Sequence, residues 1–234
     1  MIDGRRVWKL PAFVAVVLTT LMLAVLVQYA GLVLLHVVRQ RYDASQLALI
    51  LGARETVALV VAGGLAKLYL GASWSDLGLR RPSGRQILIG GLLGLMLAAL
   101  TTALLAAIGS RSDRAVYTIV RAAAYGTQPW RLALCAVIGL YSPIVQEVVF
   151  RGLLLQGLMQ RMHVALALGV SSAIFAFAHA GAGALSVADT FVAGVLQGAL
   201  FVRYRSLTAP IASHVAVNSA SMLVMIWALH RAGW

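Results

Sequence analysis

Charged residues are scarce in this sequence: Asp, Glu, Lys and Arg together make up 11% of its 234 positions. An ordinary soluble domain carries about 25% charged residues. Hydrophobic residues make up 61% of the chain, and apolar runs of about 20 residues, enough for a helix to cross a bilayer core, recur along most of it. The composition leaves no room for a soluble domain and predicts an integral membrane protein.

Acidic residues are scarcer than basic ones, with 7 Asp and Glu against 19 Lys and Arg, for a formal net charge of +12. The basic residues stand singly or in pairs between apolar runs instead of forming one polar stretch. This distribution fits membrane topology and anionic lipid head groups, and does not fit a nucleic-acid-binding patch. We therefore expect the lipid bilayer as a partner and no nucleic acid, while the oligomeric state stays open.

Cysteine is almost absent, because Cys135 is the single thiol of the chain and lies in an apolar run. One cysteine excludes an intramolecular disulfide and a metal cluster built on thiolates. Cys135 is expected to pack in the protein interior.

Seven apolar stretches are predicted to cross the membrane, so the fold class is an all-α polytopic membrane helix bundle. The first stretch is too long for the core of a signal peptide and is expected to be retained. We treat 1–234 as a single integral-membrane domain. The predicted spans cover about 12–36, 46–70, 86–108, 130–160, 164–180, 186–203 and 209–229, with a loop at 71–85 and an interfacial segment at 109–129.

Polar side chains in the middle of these spans are candidate functional residues, because each must meet a partner or a water-filled cavity. Glu147 and Arg151 are spaced i, i+4 and are predicted to form an ion pair on one helix face. Gln146 lies about 100° around the helix from Glu147 and is free to face another partner. The candidates are Gln146, Glu147, Arg151, His179, His214 and Asn218.

Spacing indicates which of these side chains can meet. Gln146 and His179 lie about 16 positions on either side of the short link between two consecutive spans, which places them at similar depth at about 1.5 Å per residue. His214 and Asn218 are spaced i, i+4 on one face. Arg54 and Glu55, in the second span, are interpreted as a neutralised pair near the interface.

Taken singly, each of these residues has a plain structural explanation, since His, Asn and Gln in spans often hydrogen-bond to neighbouring helices. Together, in three spans of one half of the chain, they favour a shared polar site. The alternatives to an enzyme are a peptide-binding or chaperone-like membrane protein and a transporter. A transporter should show paired broken spans or related halves, and neither pattern is present in the sequence.

Three short motifs resemble those of the CPBP/ABI family of intramembrane endopeptidases, whose eukaryotic relatives are the type II CAAX prenyl proteases. QEVVFR (146–151), FAFAH (175–179) and HVAVN (214–218) match E-E-x-x-x-R, F-x-x-x-H and H-x-x-x-N in order and spacing. The resemblance covers about 75–220 and places the family-like core at about 75–225. It implies a multi-pass peptidase acting near the membrane on a membrane-associated protein or peptide precursor.

The resemblance also implies roles for the motif residues. The first Glu of the doublet would activate a water, His179 would assist it, and His214 with Asn218 would stabilise the oxyanion, with Arg151 and Phe175 in support. We expect no cofactor; zinc is the alternative, although the H-E-x-x-H motif of zinc peptidases is absent. The Ala, Gly and Arg bias suggests a prokaryotic inner membrane.

One motif position departs from the family pattern, because Gln146 stands where the family has its first Glu. A neutral amide cannot accept a proton from water. The chain is therefore expected to be an inactive form with Glu exchanged for its isosteric amide, or a natural pseudoprotease that binds membrane peptides without cutting them. A third explanation makes Glu147 the base, which requires it to leave its pair with Arg151.

Overall fold

The computed structural model describes residues 7–34, 43–107, 114–180 and 183–231. Within these ranges the chain forms helices and no strand, which confirms the predicted all-α class. The predicted span ends at 35–36 and 108, and 109–113 of the interfacial segment, lie outside the described residues. The helices are α1 Leu10–Leu34, α2 Ala44–Leu70, α3 Gly84–Ala107, α4 Arg114–Tyr125, α5 Gln128–Met159, α6 Val164–Phe177, α7 Ala184–Tyr204 and α8 Thr208–Arg231.

Six of the described helices, α1, α2, α3, α5, α7 and α8, are long and apolar enough to cross a membrane. The remaining predicted span, 164–180, is realised as α6, an apolar helix of 14 residues. At 1.5 Å per residue α6 is about 21 Å long, against a bilayer core of about 30 Å. The predicted helix bundle is thus confirmed, with one helix that ends at Phe177, short of the full bilayer width.

Apolar side chains cover the outside of the bundle as well as its core. Leu18 on α1, Leu92 on α3 and Leu223 on α8 are largely exposed, as expected for side chains that face lipid. Helix α5 runs through the centre, and most of the residues from 145 to 155 are buried against α1, α2, α6 and α7. The functional motif on α5 is therefore held in the most enclosed part of the protein.

Side chains next to the helix starts explain where two helices begin. The Asp43 carboxylate accepts hydrogen bonds from the Ser45 hydroxyl and from the backbone N–H of Gln46, and these bonds hold the pKa of Asp43 below its ordinary value of 3.8. Asp43 is thus an N-cap for α2 whose stabilising effect is complete above that value and is lost as pH falls through the lowered pKa. Helix α8 begins at Thr208, whose N–H donates to Ser206 Oγ.

Two glycines allow α3 and α8 to approach each other closely. A Cβ atom on Gly90 would lie 2.2 Å from the carbonyl oxygen of Ala209, and one on Gly94 would lie 2.3 Å from that of Ser213. This confirms the small-residue helix contact that their i, i+4 spacing predicts. The contact fixes the position of α8 along the axis of α3, and it lies directly beside His214.

The loop between α2 and α3 covers one end of the bundle. It carries Trp74, which is half exposed, and its Gly78 carbonyl accepts a hydrogen bond of 2.9 Å from the N–H of Leu207. Because Leu207 directly precedes α8, the loop ties the start of that helix to the end of α2. The predicted loop is thus a structural element that helps to place α8.

Candidate active site

Helix α5 changes its winding on both sides of the polar doublet. The segments Val137–Tyr141 and Val148–Leu155 are π-helical, and the α-helical segment Ser142–Glu147 lies between them. A π-helical turn shifts backbone bonding from i→i−4 to i→i−5 and is often found at functional sites. Gln146 and Glu147 thus lie at the end of a short α-helical segment between two π-helical ones.

Pro143 leaves backbone carbonyls of α5 without their helical donor, and α8 supplies replacements. Proline has no N–H, so it can bond neither to the carbonyl of Gly139 nor to that of Ile138. Asn218 Nδ2 donates to the Ile138 carbonyl over 3.0 Å, and Ser219 Oγ donates to the Gly139 carbonyl over 3.4 Å. The break in α5 therefore positions α8 and orients the amide of Asn218.

Glu147 is the central residue of a buried polar cluster. Its side chain is fully buried, and its Oε1 accepts hydrogen bonds of 2.8 Å from Arg151 Nη1 and 2.8 Å from His214 Nδ1. Arg151 also donates to the Gly194 carbonyl over 3.2 Å and to Gln197 Oε1 over 2.8 Å. The predicted pair of Glu147 and Arg151 is present, and it joins α5 to both α7 and α8.

Phe175 packs between the cationic and imidazole groups of the site. The Arg151 guanidinium carbon lies 4.4 Å from the centre of the Phe175 ring, a cation–π contact. The rings of His179 and His214 meet the same ring at centroid distances of 4.8 Å and 5.7 Å, both edge to face. Phe175 thus orients both imidazoles, a role that the F-x-x-x-H spacing alone does not reveal.

The hydrogen-bond partners of the two imidazoles fix their tautomers. His179 Nδ1 lies 2.8 Å from the carbonyl oxygen of Phe175, which can only accept, so Nδ1 carries the hydrogen. The neutral His179 ring then presents Nε2 as an acceptor. His214 Nδ1 likewise donates to the Glu147 carboxylate, which leaves its Nε2 for another partner.

One cavity is lined by four of the motif residues, Gln146, His179, His214 and Asn218. It has a volume of about 250 Å³ and lies between α2, α5, α6, α7 and α8. Its polar lining includes Gln146, His179, His214, Asn218, Arg54, Ser142, Asp189 and Gln197. Glu147 is not among the lining residues, so a water in this cavity would meet Gln146 and not Glu147.

A second, more apolar cavity adjoins the first. Its volume is about 390 Å³, and apolar side chains of α1, α2, α5 and α6 form most of its wall. Gln146, His179 and Arg54 line both cavities. The polar site therefore has an apolar compartment next to it that is large enough for several side chains or an acyl segment.

Gln146 has a partner that the sequence analysis did not anticipate. Its Nε2 donates to Glu55 Oε1 over 3.1 Å, and Arg54 Nη2 forms an ion pair with the same oxygen. Gln146 Oε1 is buried and has no hydrogen-bond partner among the described residues. The predicted pair of Arg54 and Glu55 is present, and both side chains also line a cavity with Gln146, which the sequence does not reveal.

Gln197 was also missed, although it is an amide in the middle of a span. It is fully buried, and it both accepts from Arg151 and lines the polar cavity. Its position among small apolar residues of α7 is the signal that could have identified it. Cys135, by contrast, packs against an apolar cluster and lines neither of the two cavities.

Possible metal ligands were compared among the described residues of the site. No group of three or more His, Cys, Asp or Glu side chains that could hold a metal ion occurs in the part of the chain that the structure describes. The Nδ1 atoms of His179 and His214 face protein acceptors. At position 146 the site offers an amide, which is a weak ligand for zinc compared with carboxylate.

The fold and the site together define a multi-pass helical membrane protein with a buried site of two imidazoles, amides and an ion pair. A family model, Type II CAAX prenyl endopeptidase Rce1-like, matches residues 128–220. This segment of the chain is therefore similar to the CAAX-protease-like family, in agreement with the motif resemblance. No curated protein and no solved structure matches the chain. The matched segment contains α5 to α7, the site motifs and the first part of α8.

Proposed function

We propose that this protein is an intramembrane endopeptidase that hydrolyses a peptide bond of a membrane-associated protein or peptide at the cavity between Gln146, His179, His214 and Asn218. The observation that carries this proposal is the convergence of these four side chains from three helices on one cavity. The segment that contains these side chains matches a peptidase family model, which supports the proposal. The adjacent apolar cavity offers space for an apolar part of the substrate.

Each imidazole has a distinct part in this reaction. The neutral His179 presents its Nε2 lone pair to the attacking water and helps to orient it. His214, held by the Glu147 carboxylate, donates from Nε2 to the developing oxyanion when its ring is protonated. Asn218 uses one N–H on the Ile138 carbonyl and has a second for the oxyanion.

Position 146 decides how well the water is activated. A carboxylate there would face the same cavity and accept the proton of the water, whereas the Gln146 amide can hold a water but cannot take its proton. We therefore propose that the chain carries the catalytically impaired, amide form of a glutamate-activated site. Glu147 does not replace it, because its side chain is enclosed by Arg151 and His214 and does not line the cavity.

A pseudoprotease that binds membrane peptides without cutting them is the second candidate. It is favoured by the hydrogen bond from Gln146 Nε2 to Glu55 Oε1, because only an amide at this position can donate to that carboxylate. A glutamate in its place would bring two carboxylates together. The two candidates differ in whether the Gln146→Glu variant cuts peptides.

The experiment compares the unchanged chain with Gln146→Glu in liposomes that contain membrane-tethered fluorogenic peptides. We expect Gln146→Glu to raise the cleavage rate by about 10²-fold or more, the usual contribution of a general base. Gln128→Glu is the matched control, because it makes the same exchange at an exposed position at the start of the same helix. If neither form cuts any peptide while both bind them, the pseudoprotease candidate replaces the endopeptidase.

We further propose that the reaction needs no metal ion. The oxyanion and the water each have protein groups aimed at them, which supports a mechanism carried by side chains. Incubation of active Gln146→Glu protein with a strong chelator should leave the rate unchanged. A loss of activity that added zinc restores would contradict this proposal. The Ala-, Gly- and Arg-rich composition supports a prokaryotic inner membrane as the place of action.

A further inference from the structure

Glu55 is the carboxylate closest to position 146 that also lines a cavity of the site. It comes from α2, 91 positions earlier in the sequence, and its side chain is 3% exposed. Its Oε1 accepts hydrogen bonds from Gln146 Nε2, at 3.1 Å, and from Arg54 Nη2. Glu55 lines the apolar cavity, and Gln146 and His179 line both cavities, so a water beside Gln146 where the two cavities meet lies close to this carboxylate.

The two oxygens of Glu55 have different surroundings. Both hydrogen bonds to the side chain reach Oε1, and among the described residues no donor is bonded to Oε2. Arg54 has a partner of its own besides Glu55, since its Nη1 donates to Gln28 Oε1 over 3.1 Å. A carboxylate oxygen without a donor beside a cavity is free to accept a hydrogen bond from water.

We propose that Glu55 is the general base of this chain and takes over, from α2, the proton-accepting role that Gln146 cannot fill. This inference rests on the proposed endopeptidase function. The Gln146 amide acts as a positioning group, because its Nε2 donates to Glu55 Oε1 and holds the carboxylate in place. Glu55 Oε2 then accepts the proton of the attacking water.

The reaction balances with these groups alone. The water oxygen bonds to the scissile carbonyl carbon as one water proton passes to Glu55. The tetrahedral intermediate expels the amine as the C–N bond breaks, and Glu55 returns the proton to the departing nitrogen. The second water proton stays with the new carboxyl group, so the products are a carboxylic acid and an amine. Glu55 ends the cycle as a carboxylate.

Glu147 is nearer to Gln146 in the sequence than Glu55 is, but its surroundings explain why it is not the base. Glu147 is adjacent to Gln146 in the chain, but its Oε1 is shared by Arg151 and His214, its Oε2 is buried without a donor among the described residues, and it lines neither of the two cavities. Glu55 is distant in sequence but shares both a hydrogen bond and a cavity wall with Gln146. The winding of α5 turns residue 146 toward α2 and residue 147 toward α8.

The test uses four forms of the full chain in liposomes: unchanged, Glu55→Gln, Gln146→Glu, and the swap variant Glu55→Gln with Gln146→Glu. The swap keeps one amide and one carboxylate in contact and reverses their places. We expect slow cleavage by the unchanged chain, a loss of about 10²-fold or more in Glu55→Gln, and restored cleavage in the swap variant. Restoration would exclude a merely structural role for Glu55, because the ion pair with Arg54 is absent from both forms that carry Glu55→Gln.

Asp43→Asn is the matched control, since it removes a carboxylate from the start of the same helix while asparagine keeps the helix cap. Two results would overturn the role of Glu55 and leave the proposed function standing. One is that the unchanged chain has no activity while the Gln146→Glu form is active. The other is equal activity of the unchanged chain and Glu55→Gln. Inactivity of all four forms would overturn both proposals.

Discussion

His214 Nδ1 lies 2.8 Å from Glu147 Oε1, in the fully buried centre of the protein. This hydrogen bond joins the first motif to the third, on helices α5 and α8, and it sets which nitrogen of the ring faces the cavity. Glu147 can therefore support the site without contact with substrate. Glu147 holds the imidazole in place, while Arg151 balances the carboxylate from the other side.

We expect the buried pair of Glu147 and Arg151 to be essential for stability. Glu147→Gln leaves the Arg151 guanidinium buried without its counter-charge, and removal of one partner of a buried pair costs about 3–5 kcal/mol. The free energy of unfolding, measured by denaturant titration in detergent, checks this. The double variant Glu147→Gln with Arg151→Met should be less destabilised than the sum of the single changes. Additive losses would show that the two side chains are not coupled.

Asn218 and Ser219 offer a matched comparison of a site residue with a structural one. Both donate to carbonyls freed by Pro143, so Asn218→Ala and Ser219→Ala should each lower stability by about 0.5–1.5 kcal/mol. In a Gln146→Glu background, only Asn218→Ala should also reduce kcat, by about 10²–10³-fold, because an oxyanion donor is lost. Equal kcat values for the two variants would argue against contact of Asn218 with the oxyanion.

Gly94 should be intolerant of a side chain although it lies on a lipid-side helix. In Gly94→Ala the new Cβ would lie 2.3 Å from the Ser213 carbonyl oxygen, which is backbone and cannot rotate away. We expect a loss of about 1–3 kcal/mol from overpacking, together with slower cleavage because α8 and His214 are displaced. Gly91→Ala is the control on the same helix, since nothing lies within 4 Å of its added Cβ. Similar stability of the two variants would show that α3 and α8 adjust freely.

The parts of the fold that depend on local sequence could be predicted. Hydropathy located the spans, because a helix that crosses lipid must be apolar over a fixed length. The i, i+4 spacing paired Glu147 with Arg151, and the 100° step between neighbouring helical residues separated Gln146 from Glu147. These relations hold within one helix and need no knowledge of its neighbours.

The parts that depend on tertiary packing could not be predicted in the same way. Glu55 meets Gln146 across 91 positions, and only the arrangement of α2 against α5 brings them together. The π-helical winding of α5 has no simple sequence signal apart from Pro143. The sequence alone would assign Phe175 to the apolar core, because its contacts with Arg151 and both imidazoles are visible only in the structure.

The shortness of α6 has a consequence for where a substrate can be cut. His179 follows a helix that stops after about 21 Å, roughly two thirds of the way through the hydrocarbon layer. Under the proposed function, we therefore expect the bond that is cut to lie on one leaflet's side of the bilayer mid-plane. We expect the protein to cut near the end of a membrane anchor, where a peptide unwinds more easily, in preference to the middle of an intact transmembrane helix.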